Sequence, residues 1–238
     1  MKISTTTYGL LGTLAVRSWT GYELTQQMRR SLRFVWSSSE GHLYREQAGL
    51  VDLGWAAVEE EQAGGRTRKR YTITSAGQAA LSEWLTTTPE EPHFEIEGLV
   101  RLFHGSHGSA ADLAVAMDAT ADAARAMLDE MLGFVDEYLD EGGPLWMLEH
   151  GVTIASTSTD APPPEFAGRP KFPERLHVIA LVIESITSLL SCLESFARAT
   201  AHEVREWATT TDPAATPSTR ARLESIRQRH RTDSPPST

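Results

Sequence analysis

Arg66, Arg68, Lys69 and Arg70 place four cations within five consecutive positions, directly after the paired glycines Gly64 and Gly65. The chemistry open to such side chains is ion pairing and hydrogen bonding to anions rather than bond making. Arg66, Arg68 and Arg70 alternate, which on an extended strand brings all three to one face and turns Tyr71 and Ile73 to the other. The whole chain carries a formal charge of -10, so a cluster of this kind requires an anion from elsewhere.

Groups suited to covalent catalysis do not assemble in the sequence. It contains no phosphate-binding glycine loop, no Gly-x-Ser-x-Gly turn and no convergent nucleophile and base, so no enzyme activity and no cofactor are expected. His93, His104 and His107 lie near Glu95 and Glu97, but Gly105 and Gly108 interrupt the segment and no zinc-binding spacing is completed, so no metal is expected. Cys192 is the single cysteine, which excludes an internal disulfide framework. It lies within an apolar run and is expected to be an inert core residue. No run approaches the roughly 18 uninterrupted apolar residues of a membrane span, and the N-terminus lacks a leader pattern, so a cytoplasmic protein away from membranes is expected.

Charge is unevenly distributed. Residues 1–86 hold 10 Lys and Arg against 8 Asp and Glu, whereas residues 87–238 hold 12 against 24. A net charge of +2 followed by -12 suggests that only the front of the chain meets a polyanion.

The elements that would position the cations can be read in order. Ser4 to Thr6 offer caps for a helix carrying Leu10, Leu11, Leu14 and Ala15. Thr20 and Glu23 form a Thr-x-x-Glu capping box for a second helix reaching Leu32. Ser39 caps a third helix with Leu43, Leu50 and Leu53 inward, and Gly54 supplies a left-handed stop. Two strand-like runs, "WAAVEEE" and "RKRYTIT", flank a glycine loop, and Thr74 caps a fourth helix carrying Leu81, Trp84 and Leu85. Three helices, a two-stranded wing with a basic tip and a further helix form a winged helix-turn-helix pattern. That arrangement puts the third helix in a DNA major groove and the wing along the backbone.

"SEGHLYREQAGLVDLGW", followed by "GGRTRKRYTITSAGQAAL", resembles the PadR family of transcriptional regulators. Ser39, Gly41, Leu43, Tyr44 and Arg45 match its Ser-x-Gly-x-Leu-Tyr-Arg helix start. Arg68, Lys69, Tyr71, Ile73, Thr74 and Gly77 match its wing, and Gly21, Tyr22 and Glu23 its opening. The resemblance covers residues 7–86 and implies a homodimeric repressor whose C-terminal helices pair two subunits and, in some members, bind a small effector. Departures are Ala48 and Gly49, which leave bare a face where the family often has cations. Base reading is therefore expected at the helix start.

The back half reads as helical. Residues 88–207 are expected to form a long-helix dimerisation and effector domain after a winged domain at 1–87, and the fold class is mostly α. Leu113, Met117, Ala124, Leu128, Met131, Val135 and Tyr138 recur at spacings of three and four, and a long apolar run extends from 175 to 207. Five prolines mark residues 151–174 as an irregular loop. The tail at 208–238 is expected to lack order, with at most a transient helix from 220 to 231.

The expected function is therefore sequence-specific binding of a double-stranded DNA operator by a homodimer. The candidate DNA contacts are Ser39, His42, Tyr44, Arg45, Arg66, Arg68, Lys69 and Arg70. Met131, Trp146, Met147 and Phe166 are candidates for a small apolar or aromatic effector. The alternative is a non-catalytic winged-helix module that binds protein.

Overall fold

Each N-terminal helix starts where a side chain can satisfy its free amides. The computed structural model describes residues 3–32, 39–63, 66–151 and 172–231. Helix α1 (Thr5–Leu14) is capped by Ser4, and α2 (Gly21–Leu32) follows the Thr20–Glu23 box, in which the Thr20 amide donates to Glu23 Oε2 at 2.8 Å. Helix α3 (Glu40–Asp52) is capped by Ser39, whose Oγ accepts from the His42 amide. Gly54 ends its turn at φ +71°, a conformation in which glycine alone is unstrained.

The wing consists of β2 (Ala56–Ala63) and β3 (Arg66–Ile73), paired in antiparallel register from Ala56↔Ile73 to Ala63↔Arg66. The two-stranded wing is as expected, and a third strand joins it in the sheet. A short β1 (Trp19–Thr20) pairs with the other edge of β3 through Trp19↔Tyr71 and Thr20↔Arg70. A two-residue strand is too short for an alternating pattern to reveal it. Helix α4 (Ser75–Trp84) starts at Thr74, whose Oγ1 donates to the Gly54 carbonyl at 2.7 Å and accepts from the Gly77 amide.

The winged segment encloses Leu10, Leu11, Leu14, Trp19, Leu24, Met28, Leu43, Leu50, Ala56 and Tyr71. Tyr8 of α1 stacks on Trp84 of α4 with centroids 4.8 Å apart, which closes the helical side.

The remaining elements are α5 (Glu97–Phe103), α6 (Ala110–Leu139), α7 (Pro144–Glu149), α8 (Leu176–Arg205) and α9 (Thr216–Arg231). Contacts group residues 1–92 with 134–186, and 93–133 with 187–238. In the second unit, α6 and α8 run antiparallel and are bridged by Arg205–Asp118, Arg198–Asp122 and Arg125–Glu194. Ala114, Met117, Ala121, Ala124, Leu128 and Met131 are buried along α6 at alternating three and four spacings, as the heptad pattern requires.

Helix α8 spans less than the apolar run from 175 to 207 and is only partly covered. Val178, Leu181, Val182, Leu189 and Phe196 are exposed, and Cys192 is exposed with them, contrary to the core position expected from its apolar neighbours. By length and composition alone, the Pro173–Arg205 segment is long and apolar enough to cross a membrane, since isolated polar residues interrupt its apolar run without ending the helix. Where the tail was expected to lack order, α9 forms and is held to α8 by Arg222–Glu203. Asp212 accepts from the Ala214 and Ala208 amides ahead of it, and the arginines that look disordered by composition are also good helix formers.

A Cβ at Gly77 would fall 2.2 Å from the Trp55 carbonyl oxygen, whereas one at Gly41 would meet nothing within 4 Å. Gly77→Ala is therefore expected to lower unfolding free energy by roughly 1–3 kcal/mol, with Gly41→Ala neutral or stabilising. Urea titrations of both variants check this contrast.

Candidate nucleic-acid interface

The first half of α3 is open to solvent and the second half is built in. Ser39, Glu40, Gly41, Tyr44 and Arg45 are exposed, His42 is partly so, and Leu43, Glu46, Gln47, Gly49 and Leu50 are buried. Gly49 thus belongs to the packed side of the helix and is no part of a bare reading face; only Ala48 is exposed there.

Two buried polar residues that the sequence reading passed over fix this helix. Gln47 Nε2 donates to the Gly21 carbonyl at 3.1 Å and to Thr25 Oγ1 at 2.9 Å, tying α3 to the start of α2. Glu46 accepts from Thr7 Oγ1, tying α3 to α1, and lies 3.9 Å from His42 Nε2. Their signal in the sequence was position: 46, 47 and 50 share a helical face with Leu43.

The wing separates its cations into two kinds. Arg70 Nε donates to Glu61 Oε2 at 2.7 Å and Nη2 to Oε1 at 3.0 Å, a two-pronged pair across the hairpin. The hydrogen bond from Arg70 holds the Glu61 carboxyl below its ordinary 4.5, and the same bond raises the Arg70 guanidinium. Arg70 is therefore committed to the wing's own structure, although it shares the face expected for Arg66 and Arg68. Arg68 and Lys69 are exposed and make no salt bridge among the described residues. Arg66 opens β3, but its side chain, with Gly64, Gly65 and Arg33, lies outside the described residues.

At the wing root, the Arg17 guanidinium lies 3.8 Å from the Trp19 ring centroid. Burial lowers the Arg17 pKa and the nearby Glu23 carboxylate offsets this. Arg29, at the end of α2, pairs with Glu40 at the start of α3.

The chain can be placed among known proteins on this geometry. Residues 10–83 match the Transcriptional regulator PadR-like family. Over 79 residues the chain is 30% identical to the negative transcriptional regulator PadR of Bacillus subtilis. The match covers 33% of this chain and 43% of that relative, so the chain spans less than half the length of this curated relative. The fold is similar to that of Bacillus subtilis PadR solved in complex with operator DNA, with a TM-score of 0.57 at 20% identity, covering 83% of this chain and 99% of that one. It is also similar to PadR solved with p-coumaric acid, with a TM-score of 0.56 at 20% identity, covering 84% and 98%.

The effector candidates lie outside the PadR-like segment. Met131 is buried on α6 in the second unit. Met147 is fully buried on α7 in the first, where Trp146 stacks on His150 with centroids 4.1 Å apart. Phe166 lies outside the described residues. An apolar recess of about 340 Å³ occurs around α5, lined by Phe94, Ile96, Leu99, Val100, Phe103 and His104. Short spacing around a glycine-broken histidine segment disguised it in the sequence.

The Arg70–Glu61 pair makes the stability of the PadR-like segment pH-dependent in a stated direction. A depressed carboxyl adds stability that is present above its unfolded value of 4.5 and lost as pH falls through the lower folded value. Glu61→Gln is therefore expected to lower the thermal midpoint near neutrality and to match the unaltered chain once pH drops below that folded value. Calorimetry from pH 7 to pH 2.5 on both proteins measures the convergence.

Proposed function

We propose that the chain is a sequence-specific, DNA-binding transcriptional regulator that acts in the cytoplasm as a homodimeric repressor. The observation that carries this reading is the combination, within one PadR-like winged segment, of an exposed α3 start with two exposed wing cations that make no salt bridge among the described residues. Ser39, His42, Tyr44 and Arg45 present donors of a size and type suited to base edges and phosphates, while Arg68 and Lys69 supply charge without sequence information. Arg66 is included with them, and Arg70 contributes by stiffening the wing. The operator complex of Bacillus subtilis PadR supports a duplex as the partner.

A second copy is the proposed cover for α8. Val178, Val182, Leu189, Cys192 and Phe196 fall at spacings of 4, 7, 3 and 4, which is the repeat of a helix paired with another helix. The other edge of α8 is held to α6 by Arg198 and Arg205, so the helix is anchored as part of a folded unit rather than apolar all round. Two copies paired in this way would read half-sites about 34 Å apart or a multiple of it. The p-coumaric acid complex of PadR supports a small aromatic effector, for which the buried Met131 and Met147, together with Trp146 and Phe166, remain the proposed contacts. Such a compound would regulate only by binding the DNA-competent and incompetent states unequally.

Changing Arg68 and Lys69 together to alanine is expected to weaken binding to every duplex and to reduce the salt slope by roughly two, since each phosphate contact contributes about 0.9. Arg45→Ala or His42→Ala should instead change which sequences are preferred. Gel-shift titrations at several salt concentrations distinguish these effects, and a protein-binding module would show no salt-dependent duplex affinity at all.

Introducing glutamate at Leu189 and Phe196 is expected to convert a dimer into monomers. Light scattering at micromolar concentration reads this directly, and a monomeric unaltered chain would refute the paired reading.

A further inference from the structure

Adjacent arginines at the end of α2 go to different places. Arg29 pairs with Glu40, half-exposed on the α3 start. Arg30 turns away from it: Nη2 donates to Glu137 Oε2 at 2.8 Å, and the guanidinium carbon lies 5.1 Å from the Phe134 ring centroid. Glu137 and Phe134 stand on the last two turns of α6, 107 residues further along the chain in the case of Glu137. The Arg30 side chain is 27% exposed, against 52% for Arg29. Tyr138, the next residue of α6, is pushed up by burial, and the positive charge of Arg30 opposes that shift, as a cation close to the phenol must.

The same unit contains the beginning of α8. Phe172 meets Trp19 edge-on at 6.0 Å, and α7 packs on the turn at Pro173–Arg175 that leads into α8. Val178, Leu181 and Val182, on the uncovered face of α8, therefore belong to the unit that contains the winged segment.

We propose that Arg30 is a positioning residue: through Glu137 and Phe134 it locks the winged segment to the end of α6, so that pairing of two copies along the start of α8, at Val178, Leu181 and Val182, fixes the distance between their two α3 helices. This rests on the DNA-binding, paired-chain reading given above. Arg30 then acts on affinity without touching DNA. Its charge is met by Glu137, so it offers little to a phosphate, and Arg29 and Arg30 cease to be equivalent members of one basic cluster.

The test uses full-length chain and a duplex selected by it from a randomised library, either intact or with one half scrambled. Arg30→Gln and Glu137→Gln should each weaken binding to the intact duplex by on the order of tenfold, change binding to the half-scrambled duplex less than twofold, and leave the salt slope unaltered. The reversed pair, Arg30→Glu with Glu137→Arg, should restore affinity for the intact duplex. If Arg30→Gln weakens both duplexes equally and flattens the salt slope while Glu137→Gln leaves binding unchanged or tighter, Arg30 is a phosphate contact and the proposal fails. A readout without DNA separates this from failure of the DNA-binding reading. Spin labels at Ser82→Cys in a Cys192→Ser background should give a narrow distance distribution between two copies that broadens in Arg30→Gln; an unchanged distribution overturns the joint whether or not a duplex binds.

Discussion

The side-chain amide of Gln47 has to reach the backbone of α2, and it can do so only because Gly21 has no side chain. A Cβ at Gly21 would stand 2.9 Å from Gln47 Oε1 and 3.3 Å from the Tyr71 ring. With that space open, Gln47 bonds the Gly21 carbonyl and Thr25 while Glu46 bonds Thr7, so α3 is held by hydrogen bonds to both preceding helices. Buried polar contacts of this kind fix geometry more sharply than apolar packing, because leaving one donor or acceptor unpaired costs about 1–3 kcal/mol. That junction holds α3 in place, with its start left exposed.

The wing extends this economy of charge. Three glutamates on β2 face the basic strand, with Glu59, Glu60 and Glu61 opposite Arg70, Lys69 and Arg68. Glu61 reaches diagonally to Arg70 rather than straight across to Arg68. One arginine is thereby neutralised near the body of the fold, while Arg68 and Lys69, which make no salt bridge among the described residues, stand nearer the hairpin end. An acidic strand paired with a basic one also limits long-range attraction to anions, so that in the proposed function the wing would act only where phosphates come close.

Much of this was legible in the sequence, and the parts that were not share a cause. Ser4, Thr20 with Glu23, Ser39, Gly54 and Thr74 announced the helix ends because capping is local chemistry, read within four residues. The PadR-like motif located α3 and the wing for the same reason. What could not be read were contacts between distant residues: Arg70 choosing Glu61, Arg30 leaving the basic cluster, Gly49 facing inward, and Cys192 on an uncovered rather than a packed face. The tail was misjudged because composition alone cannot distinguish an arginine-rich disordered segment from a short helix anchored by Arg222. Helix α7 escaped notice because six residues after a glycine pair carry no measurable period.

The first unit is discontinuous in the chain, and this has a consequence for its birth on the ribosome. Residues 1–92 are made long before 134–186. At about 5–20 residues per second, the interval between synthesis of Arg30 and of Glu137 is on the order of 5–20 s. Throughout that interval the Leu10–Leu24–Leu50 core must hold together on short-range contacts alone. The nascent chain thus contains every residue of its winged segment well before Glu137, the partner of Arg30, is made.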